Sequence, residues 1–187
     1  LVVILMQIVI NVAVPIKAIA ENEIVMEEIV TIQCEDVIFY NELVSILGDK
    51  ILSKDKAKKS IMMTKTNVES VTSIDINKFE KTDEKKVSNI TGIENFTNLT
   101  YLNLGYNQIS DISAISGLTE LETLDLEENQ ISNISAIKGL TKLDSLDLNN
   151  NQISNIIVIS ELKNLYSLIL SNNQISNISA IKGLTKL

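Results

Sequence analysis

From residue 96 onward the apolar positions recur every 22 residues. Units 96–117, 118–139, 140–161 and 162–183 align without a slipped residue, and a fifth starts at Leu184. The second reads LTELETLDLEENQISNISAIKG and the third LTKLDSLDLNNNQISNIIVISE. Their shared skeleton is L-x-x-L-x-x-L-x-L-x-x-N-x-I-x-x-I-x-x-I. In the first unit Leu99, Leu102, Leu104, Asn107, Ile109, Ile112 and Ile115 carry it. Around Leu102-Asn103-Leu104 apolar and polar residues alternate, which predicts a short strand with its leucines on one face. After the asparagine the spacing becomes three, which suits a 3₁₀-like return path. Each unit is thus one turn of a coil. A single turn cannot bury its apolar residues, but stacked turns can, with strands paired in parallel roughly 4.8 Å apart. Each buried apolar side chain then contributes roughly 1.5–3 kcal/mol before entropy is subtracted. The predicted fold class is an α/β solenoid. Asn107, Asn129, Asn151 and Asn173 fall at the bend after each strand. They are expected to bond the backbone of adjacent turns, because a bent backbone has lost its ladder partners.

Upstream, residues 29–95 read as an amino-terminal cap with a degenerate first turn. Ile29–Cys34 is a short β-rich run. Asp36 is placed as an N-cap, with Phe39, Tyr40, Leu43, Ile46 and Leu47 at helical spacing behind it and Gly48 as the terminating glycine. SKDKAKKS at 53–60 reads as a solvated basic loop, and 66–70 as a short second helix. Val71, Ile74 and Ile76 repeat the first half of the skeleton; Val87, Ile90 and Ile93 repeat the second. The charged stretch 77–86 between them is about six residues longer than in a regular unit. A solenoid needs such a cap, since its first turn would otherwise show an apolar end and a bare strand edge.

The amino terminus, LVVILMQIVINVAVPIKAIAENE, has an apolar run too short for a confident membrane span. Ala18-Ile19-Ala20 then matches the A-x-A form of a cleavage site. Residues 1–20 read as a signal peptide whose start is missing, and 21–28 as a linker; an uncleaved anchor or a buried helix is the alternative. The chain has 187 residues and a formal net charge of −8, which disfavours nucleic acid as a partner. It contains no histidine, so the commonest general base and metal ligand is missing. Cys34 is the only cysteine, which rules out an internal disulfide and a redox pair. It reads as a buried small residue rather than a reactive thiol.

The period, with NQISDIS and FTNLTYLNLG in the first unit, resembles the leucine-rich repeats of internalins and related surface proteins of Gram-positive bacteria. The likeness is strong over 96–187 and weaker through VESVTSIDI and ITGIENFTNLT. It implies a right-handed leucine-rich repeat horseshoe with parallel strands on the concave face, 3₁₀ or irregular return legs and a helical cap. It further implies export, display at the cell surface and a protein partner on the concave face. Many internalin repeats carry proline where this chain has Ala114, Ala136, Val158 and Ala180, so a less rigid return leg is expected. The sequence stops inside a repeat without the usual carboxy-terminal modules, and so reads as a fragment.

On the strands the residues between the leucines face the concave side. Across turns they form ladders: Tyr101, Thr123, Ser145, Ser167; then Asn103, Asp125, Asp147, Ile169; then Gly105, Glu127, Asn149, Ser171, with Tyr166 alongside. The expected ligand-binding residues are Tyr101, Asn103, Thr123, Asp125, Glu127, Ser145, Asp147, Asn149, Tyr166 and Ser167. An acidic stripe flanked by tyrosines suits a protein partner with a basic surface. A solvated, merely solubilising face and a structural spacer are the bland alternatives. The carboxylates could take Ca²⁺, but no dedicated loop is present, so neither metal nor cofactor is expected. No phosphate loop, metal motif or activated nucleophile occurs, and the chain itself reads as no enzyme. The expected function is surface adhesion or recognition; the alternative is a targeting module for a secreted or wall-associated hydrolase domain beyond residue 187. Membrane contact would come only through the signal peptide or an anchor outside this sequence.

Overall fold

The computed structural model describes residues 16–18, 24–79, 81–82 and 85–187. The amino-terminal reading of 1–20 as a signal lies outside the described residues, except for Ile16–Ala18 (β1). This strand pairs antiparallel with Ile24–Met26 (β2), so the stretch expected to be a linker contains a strand.

The cap follows. Ile29–Gln33 (β3), Ile51–Asp55 (β4) and Ser60–Thr64 (β5) form an antiparallel sheet in the order β3-β5-β4, with helix Val37–Leu47 (α1) packed beside it. The helix begins and ends as the sequence predicts. Asp36 accepts from the Ile38 and Phe39 amides at 2.6 and 3.1 Å, and Gly48 closes the helix at φ +51°. The loop expected at 53–60 is instead the two ends of β4 and β5 with the turn between them. β4 is a sheet edge with a bulge and mostly exposed residues, so it lacks the apolar signal of a strand. Lys65–Glu69 (α2) is the short second helix, capped by Thr64, whose hydroxyl accepts from the Asn67 amide at 3.1 Å.

The solenoid sheet runs β10-β9-β8-β7-β6, all parallel. Its strands are Ser73–Asp75 (β6), Tyr101–Asn103 (β7), Thr123–Asp125 (β8), Ser145–Asp147 (β9) and Ser167–Ile169 (β10). Ile74, Leu102, Leu124, Leu146 and Leu168 stand in one register row. The first four are buried; Leu168, on the edge strand, is half-buried. The isoleucine rows 109/131/153, 112/134/156 and 115/137/159 are buried too. The return legs are 3₁₀ turns at Ser113–Ile115, Ser135–Gly139, Ile157–Glu161 and Ser179–Gly183. Cap and repeats share one continuous apolar core.

Polar side chains fix the turns. Asn129 Oδ1 accepts the Ile109 amide of the previous turn at 2.9 Å, and its Nδ2 donates to Leu104, Leu126 and Glu127 carbonyls. Asn107, Asn151 and Asn173 repeat the arrangement, as the sequence predicts. Asn107 Nδ2 reaches back 31 residues to Ile76, where Asn129 reaches back 25. The six extra residues therefore lie between Ile76 and Val87, inside the stretch read as an insertion. A second row was not anticipated. Asn89, Asp111, Asn133, Asn155 and Asn177 each accept the amide two residues on, opening every return leg with an Asx turn.

The join between cap and repeats is equally specific. Asp36 Oδ2 accepts from the Ser88 amide at 2.8 Å and its hydroxyl at 2.9 Å. Burial pushes this carboxyl up, but the bonds from Ser88, Phe39 and Ile38 outweigh it and hold it below the usual carboxylate range. Lys78, buried, forms an ion pair with Glu42 of α1. Gly92 sits at φ +109°, and a Cβ there would stand 3.0 Å from the Gln33 carbonyl oxygen. Cys34 is fully buried in this join, and burial followed by the Glu94 charge pushes its thiol up to about 11.

Candidate functional site on the concave face

The strand register brings the anticipated residues together. Tyr101, Thr123, Ser145 and Ser167 are direct neighbours from strand to strand, and so are Asp75, Asn103, Asp125, Asp147 and Ile169. Thr123, Asp125, Glu127, Ser145, Asp147, Asn149, Ser167 and Tyr101 are half-buried. Tyr166 is 63% exposed and Ile169 43%. Asn103 departs from expectation: it is buried at 9% exposure, which removes it from the accessible face. Its Oδ1 accepts the Gly105 amide at 3.0 Å, so it serves the turn.

That bond recurs, and it changes the meaning of the acidic ladder. Asp75 accepts the Asn77 amide at 3.1 Å, Asp125 the Glu127 amide at 3.0 Å, and Asp147 the Asn149 amide at 2.8 Å. Each side chain ends its strand with an Asx turn. The oxygen explains an Asx residue at this place; it does not explain the charge, since asparagine at 103 makes the same bond. Asp125 stands beside Asp147 in register, and like charges directly opposite are unfavourable by roughly 0.2–1 kcal/mol. Its carboxyl is pushed above the ordinary range, first by burial and then by Asp147 and Asp75, against the pull of the Glu127 amide. Glu127 is also pushed up, first by burial and then by Asp125 and Asp147. Among the described residues no lysine forms an ion pair with Asp75, Asp125, Glu127, Glu128 or Asp147.

One rim carries residues that the repeat pattern hides. Tyr106, Glu128, Asn150 and Asn172 precede the asparagine row and all have positive φ, between +50° and +59°. This left-handed bend turns the following asparagine inward, and asparagine tolerates it better than tyrosine or glutamate. Tyr106 is half-buried and bonded to Glu127. Phe79, from the insertion, lies edge-on to it with ring centres 4.9 Å apart and is 58% exposed. An aromatic in a charged insertion, outside the register, is the signal that could have flagged it. At the other rim Glu122, Lys142, Asp144, Asn164, Tyr166 and Lys186 line a shallow groove of about 470 Å³. Among the described residues no group of three acidic, His or Cys side chains is placed to hold a metal ion.

This geometry has close counterparts. Two overlapping matches to the family model described as Leucine Rich repeats (2 copies) cover residues 97–139 and 119–164. An internalin of Listeria monocytogenes, InlF, superposes with a TM-score of 0.70 at 35% identity, covering 81% of this chain and 41% of that one. The chain is an internalin-like leucine-rich repeat protein. Internalin C2 of the same organism gives a TM-score of 0.56 at 27% identity, covering 82% of this chain and 72% of that one. A leucine-rich repeat protein of Leptospira interrogans gives 0.53 at 27%, covering 65% and 31%. The internalin-like chain thus spans less than half the length of InlF. A comparison with curated proteins found no match.

Proposed function

We propose that this internalin-like chain is an exported surface protein that recognises a protein partner on its concave strand face, with the Asp125–Asp147 ladder set against a basic surface. The observation that carries this reading is the surplus of charge. The Asx turns need only an oxygen, and Asn103 supplies one without charge. Asp125 and Asp147 hold carboxylates in one register row on adjacent strands, and among the described residues no lysine pairs with them. A local penalty kept on an open face suits electrostatic complementarity, which raises association rates and excludes wrong partners. Thr123, Ser145, Ser167 and Asn149 supply hydrogen-bonding groups beside the stripe, and exposed Tyr166 an aromatic anchor. The apolar amino-terminal run supports export.

The test is a pair of neutral substitutions, Asp125→Asn and Asp147→Asn. Charge reversal to lysine would also remove the oxygen that ends the strand. The double variant should retain basic surface proteins from a host-cell membrane extract at least about tenfold less well than the native chain, with the loss deepest at low salt. Capture that is undiminished and independent of salt would exclude this face.

A further inference from the structure

The insertion 77–86 gives the first turn of the solenoid something the later turns lack. Phe79 is held out by a local turn, its amide donating to Asn77 Oδ1 at 2.8 Å. The stem beneath it is anchored, since the Lys78 amide donates to the Gly105 carbonyl at 3.0 Å and the Lys78 side chain pairs with Glu42. An exposed phenylalanine on an anchored stem is an expensive thing to show to water. It rests edge-on against Tyr106, whose phenol feels the charges of Glu127, Glu128 and Asp125. At the same position in later turns stand Asn150 and Asn172, so the fold does not require an aromatic there.

We propose that Phe79 and Tyr106 form an anchor subsite for an arginine or lysine side chain of the partner, rimmed by Glu127 and Glu128. A cation over these rings meets both a π-face and the carboxylates of Glu127 and Glu128, with which no lysine among the described residues forms an ion pair. An acidic partner segment would meet repulsion from the same carboxylates, and a purely apolar one would strip them of water without compensation. This inference rests on the concave-face reading and names the chemistry of its cap-proximal end. It places the partner's basic anchor at the rim next to the cap, away from Tyr166.

The experiment selects peptides from a random library on the immobilised native chain. Each binder is then measured against Phe79→Ser/Tyr106→Asn and against Asp125→Asn/Asp147→Asn. Both sets of replacements suit their sites: Phe79 is exposed, and asparagine already occupies the Tyr106 and Asp125 positions in other turns. Cooperative melting with thermal midpoints no lower than that of the native chain verifies the fold. The expected result is a population rich in arginine and lysine that loses about tenfold or more in affinity on the aromatic variant. Replacing a binder's arginines by citrulline should cause a similar loss. Binders that survive the aromatic variant but fail on the Asp→Asn variant would overturn the subsite and leave the concave face intact. Binders indifferent to both variants would overturn both readings, and binders without cationic residues would overturn the assigned chemistry.

Discussion

Replacing Asp125 by asparagine should stabilise the protein at neutral pH while weakening its hold on basic partners. The substitution keeps the Oδ1 that accepts the Glu127 amide at 3.0 Å. It removes the negative charge in register with Asp147, a relief of roughly 0.2–1 kcal/mol. For a chain of this size about 1 kcal/mol moves the thermal midpoint by roughly 2–4 °C, so a rise of up to about 4 °C is expected. Asp125→Ala is the control. It gives the same relief but leaves the Glu127 amide without its acceptor, at a cost of about 1 kcal/mol. The alanine variant should therefore lie below the asparagine variant by about 1 kcal/mol. The pH dependence has a definite sign. The Asp125 carboxyl is raised in the folded state, so its contribution is most favourable below the unfolded pKa and is lost as pH rises through the folded one. The advantage of asparagine should thus be small near pH 4 and grow towards pH 7. Denaturant melts of the three proteins across that range measure it. An asparagine variant less stable than the native chain at neutral pH, or a difference that ignores pH, would refute the reasoning.

Asn129→Ala should cost about 2–3 kcal/mol, seen as a fall of about 5–10 °C in thermal midpoint. The Ile109 amide loses its acceptor, whereas Leu104, Leu126 and Glu127 carbonyls keep other donors. Gly92→Ala should destabilise strongly, by about 2 kcal/mol or more in equilibrium unfolding. Positive φ and a Cβ driven to 3.0 Å from the Gln33 carbonyl oxygen act together there. Cys34 should react negligibly with a thiol reagent on the native protein near pH 8 and rapidly once unfolded, since it is buried with its thiol raised to about 11.

The apolar rows were legible because each buried position recurs at a fixed interval, and so were the asparagine row and the length of the insertion. The helix α1 was legible through its two ends, Asp36 and Gly48. β4 and β5 were not. An edge strand of mostly exposed residues leading into a lysine-rich turn has the composition of a loop, and only pairing with β5, itself paired to β3, gives β4 a strand's partners. On the concave face the ladders followed directly from the two-residue strand period. The double duty of Asp125 did not, because an Asx turn depends on where the chain bends. Nor did the burial of Asn103, which the strand period places in the same row as the half-buried Asp125 and Asp147. Phe79 and Tyr106 come from different turns and outside the strand register, so no single period could place them together.

The most direct test labels carboxylates with a carbodiimide and glycine amide, on the free chain and on the chain bound to a captured basic partner. Binding on the concave face predicts protection of Asp125, Glu127 and Asp147, with Asp111 and Glu161 of the return legs labelled as before. Protection of Asp111 and Glu161, with the strand carboxylates still reactive, would contradict it.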